Sequence, residues 1–219
     1  VSKVVIFGIG QIAEIAYFYL KNDSSHEVVG FTVDAEYIET GKFHGLGVVA
    51  YEELEAIYPP DIYKLFMPIS YKGVNEFRKA KFINAKQRGY EFISYISSKA
   101  RYYGTPVGEN CFIFEDNVIQ PFTEIGDNCI LWSGNHIGHH TKIEDHVFIA
   151  SHVVVSGSVE IGSCSFLGVN ATVRDNIKIG KSNVIGASAT ILSNTDDYDV
   201  YASSKTDKYR KRSDELKGI

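Results

Sequence analysis

The chain has 219 residues, a formal net charge of −5 and 44% hydrophobic residues. That length suits one large or two small domains, and the hydrophobic content is enough for a true core. The acidic balance argues against a nucleic-acid-binding surface, which is usually basic, while leaving room for a local basic patch that takes phosphate. The longest apolar run, 4–20, is interrupted by Gly8, Gly10, Gln11 and Glu14. It is too broken for a membrane span and has the wrong layout for a signal peptide, so a cytoplasmic protein without membrane insertion is expected.

Residues 1–98 read as an α/β unit. A buried strand at 4–7 runs into the turn Gly8-Ile9-Gly10 and then a helix with Ile12, Ile15, Ala16, Tyr19 and Leu20 on one face. A second strand, 28–33, ends at Asp34. A short helix at 51–57 is stopped by Pro59-Pro60, and a third buried strand follows at 63–67. A helix at 74–88 has Gly89 just beyond it, and a further strand is expected at 91–96. Strands alternating with helices predict a mostly parallel sheet, a small Rossmann-like unit.

The next segment, 99–196, obeys a different period. Every sixth residue from Val107 to Ile191 is Val, Ile or Leu, through fifteen consecutive hexads. Six fits neither a helix nor an alternating strand. It fits a chain that turns a corner after each short strand and winds into a triangular prism, a parallel β-helix. Gly often follows the column (108, 126, 138, 162, 168, 180, 186), and compact residues recur four places after it, among them Cys111, Thr123, Cys129, Thr141, Ser165, Ala171 and Ala189. At three hexads per turn, residue n stacks on residue n+18. Cys111 and Cys129 are so related and are read as stacked small side chains; a disulfide is the weaker reading for three cysteines without an export signal. The tail, 197–219, is expected to be partly helical over 205–217.

Two features carry chemistry. Gly8-x-Gly10-x-x-Ala13 follows a strand and opens a helix, so close backbone approach and free helix N-terminal amides suit a phosphate; Asp34 stands where a ribose hydroxyl is read. The competing readings are a mere tight turn or a redox dinucleotide site, the latter ill-matched to a unit of this size. Five of the seven histidines fall within seventeen residues: His136, His139, His140, His146 and His152. Histidine exchanges protons near neutral pH. Eighteen residues after His139 comes Gly157, which places an imidazole beside a backbone open to a carbonyl group and an N–H suited to an oxyanion. His139 and His140 are the catalytic candidates, with a solvated corner residue as the competing reading for His140; His146 and His152 are expected as solvated corner residues, and His136 as a supporting catalytic or subunit-contact residue. No spacing recommends a metal site.

The Ile-Gly-x-x-x-x hexads, the Gly-x-Gly start and Ile137-Gly138-His139 together resemble the bacterial sugar O-acyltransferase family, which includes sialic acid O-acetyltransferases and nucleotide-aminosugar N-acetyltransferases of the bacillosamine and perosamine type. The resemblance runs through about residue 196. It implies a left-handed β-helix, a homotrimer, acetyl-CoA in a groove between prisms and the nucleotide on the first domain. It also implies a base at His139, with Gly157 facing the acetyl carbonyl. The nucleotide-sugar falls at Gly8, Gly10, Gln11, Asp34, Pro68, Ile69 and Ser70, and the CoA arm at Ala187 and Ser188, with Lys205 as a phosphate partner. The chain departs from the family's pattern at His140, where related enzymes often carry an acid, at Trp132, and at 201–205.

The expected activity is acetyl-CoA-dependent N-acetylation of a nucleotide-linked deoxyaminosugar, using no metal. A sugar O-acetyltransferase and a non-catalytic trimeric nucleotide-binding scaffold are the alternatives.

Overall fold

The computed structural model describes residues 1–216. Its first part is a five-stranded sheet: β1 (Lys3–Phe7), β2 (Glu27–Val33), β3 (Lys42–Phe43), β4 (Leu46–Ala50) and β5 (Tyr63–Phe66), in the spatial order β3-β4-β2-β1-β5. All neighbours are parallel except the β3–β4 hairpin, and Phe92 adds a parallel bridge to Leu65 beyond β5. The hairpin is not forecast by periodicity. It is made by His44 and Gly45, both at positive φ (48° and 81°), the geometry that reverses a twisted strand pair in two residues.

Helices α1 (Gln11–Asn22), α2 (Leu54–Ile57) and α3 (Glu76–Gln87) accompany the sheet. Helix α1 buries Ala13, Ala16 and Leu20, while Ile12, Ile15 and Tyr19, on the expected apolar face, are only half-buried. Tyr19 reaches the second part of the chain, donating to Glu115 at 2.6 Å. Helix α3 starts two residues later than its periodicity predicts, because Gly73, Val74 and Asn75 all have positive φ. For a β-branched residue such as Val74 that conformation is costly and must be held by its surroundings.

From residue 95 the chain winds into the prism. The strand expected at 91–96 is divided: Phe92 bridges Leu65, whereas Tyr95–Ile96 already pairs with Phe112–Ile113. Two-residue strands stack in three parallel sheets of seven, six and four; from residue 112 to 191 each rung pairs with the rung eighteen residues away, and the end rungs pair at seventeen and sixteen. The hexad column points inward, and from Ile113 to Ile191 no member is more than 3% exposed. Val107 packs on its end. The compact residues fill a second buried column and bond upward: Thr123 and Ser165 donate to the carbonyls of Gly138 and Gly180, and the thiols of Cys111 and Cys129 reach those of Gly126 and Glu144 at 3.1 and 3.2 Å. All three cysteines are free.

Each corner turns on a left-handed residue. Positive φ recurs at every sixth position from Asn110 to Ser188, through Asp116, Phe122, Asn128, Gly134, His140, His146, His152 and Ser158. Asn, Asp and His are enriched in that conformation. Three of the five clustered histidines therefore stand where the corner geometry itself favours such residues.

The two parts share one apolar core, in which Ala13, Ala16, Leu20, Phe31 and Phe66 pack with Phe112, Phe114, Ile130 and Phe148 of the nearest prism face. At the adjoining corner Asn110, Asn128 and His146 form a buried ladder. The Met67 N–H donates to Asn110 Oδ1 at 2.8 Å, Asn110 Nδ2 to Asn128 Oδ1 at 2.8 Å, and Asn128 Nδ2 faces His146 Nδ1 at 3.0 Å. Because the first donor is a backbone amide, each amide orientation follows from the one before, and His146 must accept at Nδ1.

His146 is thus 8% exposed rather than solvated as expected, since its corner is the one the α/β unit covers. His152 is exposed as expected. Burial is the main cause that holds His146 down to about 4, with Arg78 and Lys79 adding to the effect and Asp145 and Glu76 opposing it. An unfolded histidine titrates near 6.5, so between those values the unfolded chain binds the extra proton. Stability is then complete above about pH 6.5 and falls toward pH 4 by about 3 kcal/mol. His146→Asn keeps a left-handed residue and an acceptor. Denaturant midpoints between pH 7 and 4 should fall less steeply in that variant, and equal slopes would refute the assignment.

The tail adds one rung, Val200–Tyr201, beside Val184–Ile185. The helix expected over 205–217 does not form at 205–212; a single 3-10 turn occupies Ser213–Glu215, and Lys217 lies outside the described residues. With lysines and arginines at 205, 208, 210, 211 and 212, the segment has no apolar stripe to bury.

Candidate active site

Six of the residues expected at the nucleotide come together. Gly8, Gly10, Gln11, Pro68, Ile69 and Ser70 line one cavity of about 340 Å3, with Phe7, Ile12 and Ala13. Gly8 adopts φ 106° and donates its N–H to Thr32 at 2.7 Å, a conformation that favours glycine. Gly10 caps α1 without any side-chain hydrogen bond, and the first intrahelical bond runs from Glu14 N–H to the Gly10 carbonyl. The amides of the first turn are therefore free to meet an anion. Asp34 does not line this cavity. It is ion-paired with Lys81 of α3, both side chains mostly buried, and the ammonium also lies 4.7 Å from the Tyr51 ring.

A second cavity, about 370 Å3, adjoins the first through Ile12 and is walled by Tyr71, Trp132, Phe148 and Phe166. Tyr71 packs on both phenylalanines (5.0 and 4.8 Å between centroids), and Trp132 stacks on Phe114. Ala187, expected at the CoA arm, borders this cavity; Ser188 is the exposed next residue. Lys205 is exposed beyond the last rung. A larger cavity of about 460 Å3 lies on the third prism face among Glu124, Lys142, Glu144 and Asp145, and none of the candidate residues lines it. Its carboxylates serve the fold: Asp145 accepts the Asp127 N–H and Glu144 the Ser163 N–H.

His139 and His140 occupy the corner between the second and third faces, both exposed. The imidazole of His139 lies against Gly157 one coil on, so that a Cβ there would stand 2.6 Å from Cε1 and 2.7 Å from Nε2. The eighteen-residue register places the pair as read from the sequence. At two corners the amide is capped from nineteen residues earlier, His139 N–H by Gln120 and Ser163 N–H by Glu144, and at Glu109 and Asp127 from an aspartate eighteen residues later. For Gly157 the earlier position is Gly138, which has no side chain, and the Gly157 N–H makes no hydrogen bond among the described residues. His136 sits on the second face between Val118 and Val154 and forms no hydrogen bond with His139.

Sequence reasoning missed Gln120 and Phe122 beneath the histidine pair, although the same register applied downward finds Phe122 under His140. It also missed Arg78, which is fully buried and donates to the carbonyls of Asn128, Ile69, His146 and Val147 and to Asn75 Oδ1. Burial draws its pKa down to about 10. Nothing in a helical period marks a buried cation whose partners are all backbone or amide oxygens. No group of three or more His, Cys, Asp or Glu side chains suited to a metal occurs among the described residues, nor a helix long and apolar enough to cross a membrane.

Residues 105–139 and 123–157 match the family model of the bacterial transferase hexapeptide (six repeats). Together with the three parallel sheets, this defines a hexapeptide-repeat domain that fits the left-handed β-helix. The chain is similar over more than nine-tenths of its length to solved structures of acetyltransferases. A mutant of perosamine N-acetyltransferase from Caulobacter crescentus, in complex with CoA and GDP-perosamine, superposes with a TM-score of 0.81 at 22% identity, covering 93% of this chain and 94% of that one. The acetyltransferase domain of PglB from Neisseria gonorrhoeae gives 0.79 at 20% identity, covering 93% and 97%. The same domain in complex with acetyl coenzyme A gives 0.78 at 19% identity, covering 92% and 96%. Identities this low establish a common fold. A comparison with curated protein sequences finds no match.

Proposed function

We propose that this protein is an acetyl-CoA-dependent N-acetyltransferase acting on the amino group of a nucleotide-linked deoxyaminosugar. The observation that carries the reading is His139 lying against Gly157, whose N–H is unpaired, on a chain that also has an open helix N-terminus lined by Gly8, Gly10 and Gln11. The solved neighbours named for CoA and GDP-perosamine support the same pairing of substrates.

In this mechanism His139 Nε2 takes the proton of the sugar amine as its nitrogen attacks the thioester carbonyl. The Gly157 N–H donates to the developing oxyanion. The tetrahedral intermediate collapses, and the proton held at Nε2 passes to the departing thiolate. The α/β unit acts as a Rossmann-like nucleotide holder, its phosphates at the α1 N-terminus. Asp34 takes a role at the ribose only if it releases Lys81. Ala187 and Ser188, small and exposed, leave room for the CoA arm, and Lys205 serves its phosphates. Within one chain the phosphate cavity is lined by the α/β unit alone, whereas His139 stands at the corner between the second and third prism faces, so a homotrimer completes the site between copies.

Thiol release from acetyl-CoA with a panel of sugar nucleotides tests the reading. Release with aminosugars supports it, release only with hydroxyl acceptors replaces it by O-acetylation, and silence with all favours a binding scaffold. Gly157→Ala offers a sharper check. The new methyl overlaps the imidazole, a movable side chain, so the fold should persist while kcat falls about 10–100-fold through misplacement of the base. Unchanged kcat would disprove the contact's importance.

A further inference from the structure

We propose that His140 is the positioning residue for His139: its Nδ1 accepts the Nδ1–H of His139 and thereby leaves Nε2 of His139 as the basic atom. The inference rests on the acetyl-transfer reading and assigns it a proton arrangement.

The two Nδ1 atoms are 3.1 Å apart, with the rings nearly perpendicular at 85°. Two imidazole nitrogens at that distance share a single hydrogen, and each neutral ring has one donor and one acceptor. If His140 donated, His139 would carry its proton on Nε2 and have no free lone pair. With His139 donating, Nε2 is free, and it belongs to the Cε1–Nε2 edge of the ring that lies against Gly157.

Both rings are held for this contact. The left-handed backbone at His140 (φ 58°) turns its ring back over the corner, and Phe122, one coil below, packs on it with centroids 4.7 Å apart. The His139 backbone is fixed by its N–H to Gln120 Oε1 at 2.9 Å. The neighbouring layers present Phe122 below and Gly157 and Ser158 above, and no charged side chain bonds either ring among the described residues. During transfer His139 gains a proton at Nε2 and keeps its Nδ1–H on His140, a charge-assisted bond stronger than the neutral one. The proton then leaves from Nε2 to the thiolate, and His140 exchanges none. A protonated His140 cannot accept, so activity requires both rings neutral.

The corner column supplies variants that preserve the backbone, since Ser, Asn and Asp already occupy it at 158, 110 and 116. His140→Ser should lower kcat about 10–100-fold at unchanged KM for both substrates, as expected for a displaced base. His140→Asn, which retains an acceptor, should recover most of that loss. Nitrogen-15 NMR of the intact, folded protein reads the tautomer without turnover: His139 should carry its proton on Nδ1 in the wild type and lose that preference in His140→Ser. A wild-type Nε2–H tautomer, or full kcat in His140→Ser, overturns the proposal. A chain that releases no thiol but shows the Nδ1–H tautomer would instead overturn the acetyl-transfer reading alone.

Discussion

Replacing His139 by alanine is expected to lower kcat by roughly 10²–10⁴-fold, the contribution of one positioned general base. Binding of CoA and of the nucleotide should survive, because the imidazole is exposed at its corner, and its backbone is bonded independently of the ring through Gln120. The fold should be unaffected, since the residue belongs neither to the buried columns nor to the left-handed series. Steady-state thiol release with calorimetric titration of both ligands checks this. Near-normal turnover in the variant would remove His139 from the mechanism, and loss of binding together with turnover would make it a structural residue. The expected residual rate comes from orientation and from the Gly157 amide, which alanine at 139 leaves in place.

The largest effect on stability is expected at Arg78. Its guanidinium bridges the turn before α3, through Ile69 and Asn75, to the prism carbonyls of Asn128, His146 and Val147. Asn75 extends the same junction by donating to the carbonyls of Cys164 and Ser165 at 2.8 and 3.1 Å. Arg78→Met fills similar volume but leaves buried acceptors without donors. The cost should be about 3–5 kcal/mol, lowering Tm by about 6–20 °C in a chain of this size. Arg78→Lys should restore only part of it, because one ammonium cannot span acceptors that a planar fork reaches in several directions. Scanning calorimetry decides the matter, and a loss under 1 kcal/mol for Arg78→Met would show that the network is dispensable. This buried cation has no carboxylate partner among its bonds, so the energy lies in geometry. Hydrogen bonds from a charged donor to several oxygens hold the α/β unit in one orientation on the prism.

The hexad column declared the prism because a coil that buries one residue in six leaves an unmistakable period, and the eighteen-residue register that follows from it places His139 under Gly157. The turn from β1 into α1 was equally readable, since Gly8 and Gly10 sit between a strand and a helix and local backbone chemistry alone explains them. The fate of the other histidines was not readable. His146 and His152 occupy the same left-handed corner position, and only the packing of the α/β unit on one prism edge makes the first buried and the second exposed. Asp34 likewise reads as a ribose ligand until α3 brings Lys81 onto it. The sequence by itself determined the repeat, the register and the local turns, because these depend on neighbours along the chain or a fixed number of residues away. The docking of one half on the other, with Arg78, the asparagine ladder and the aromatic wall around Tyr71, was decided only in the tertiary structure, because those contacts join segments whose separation obeys no period.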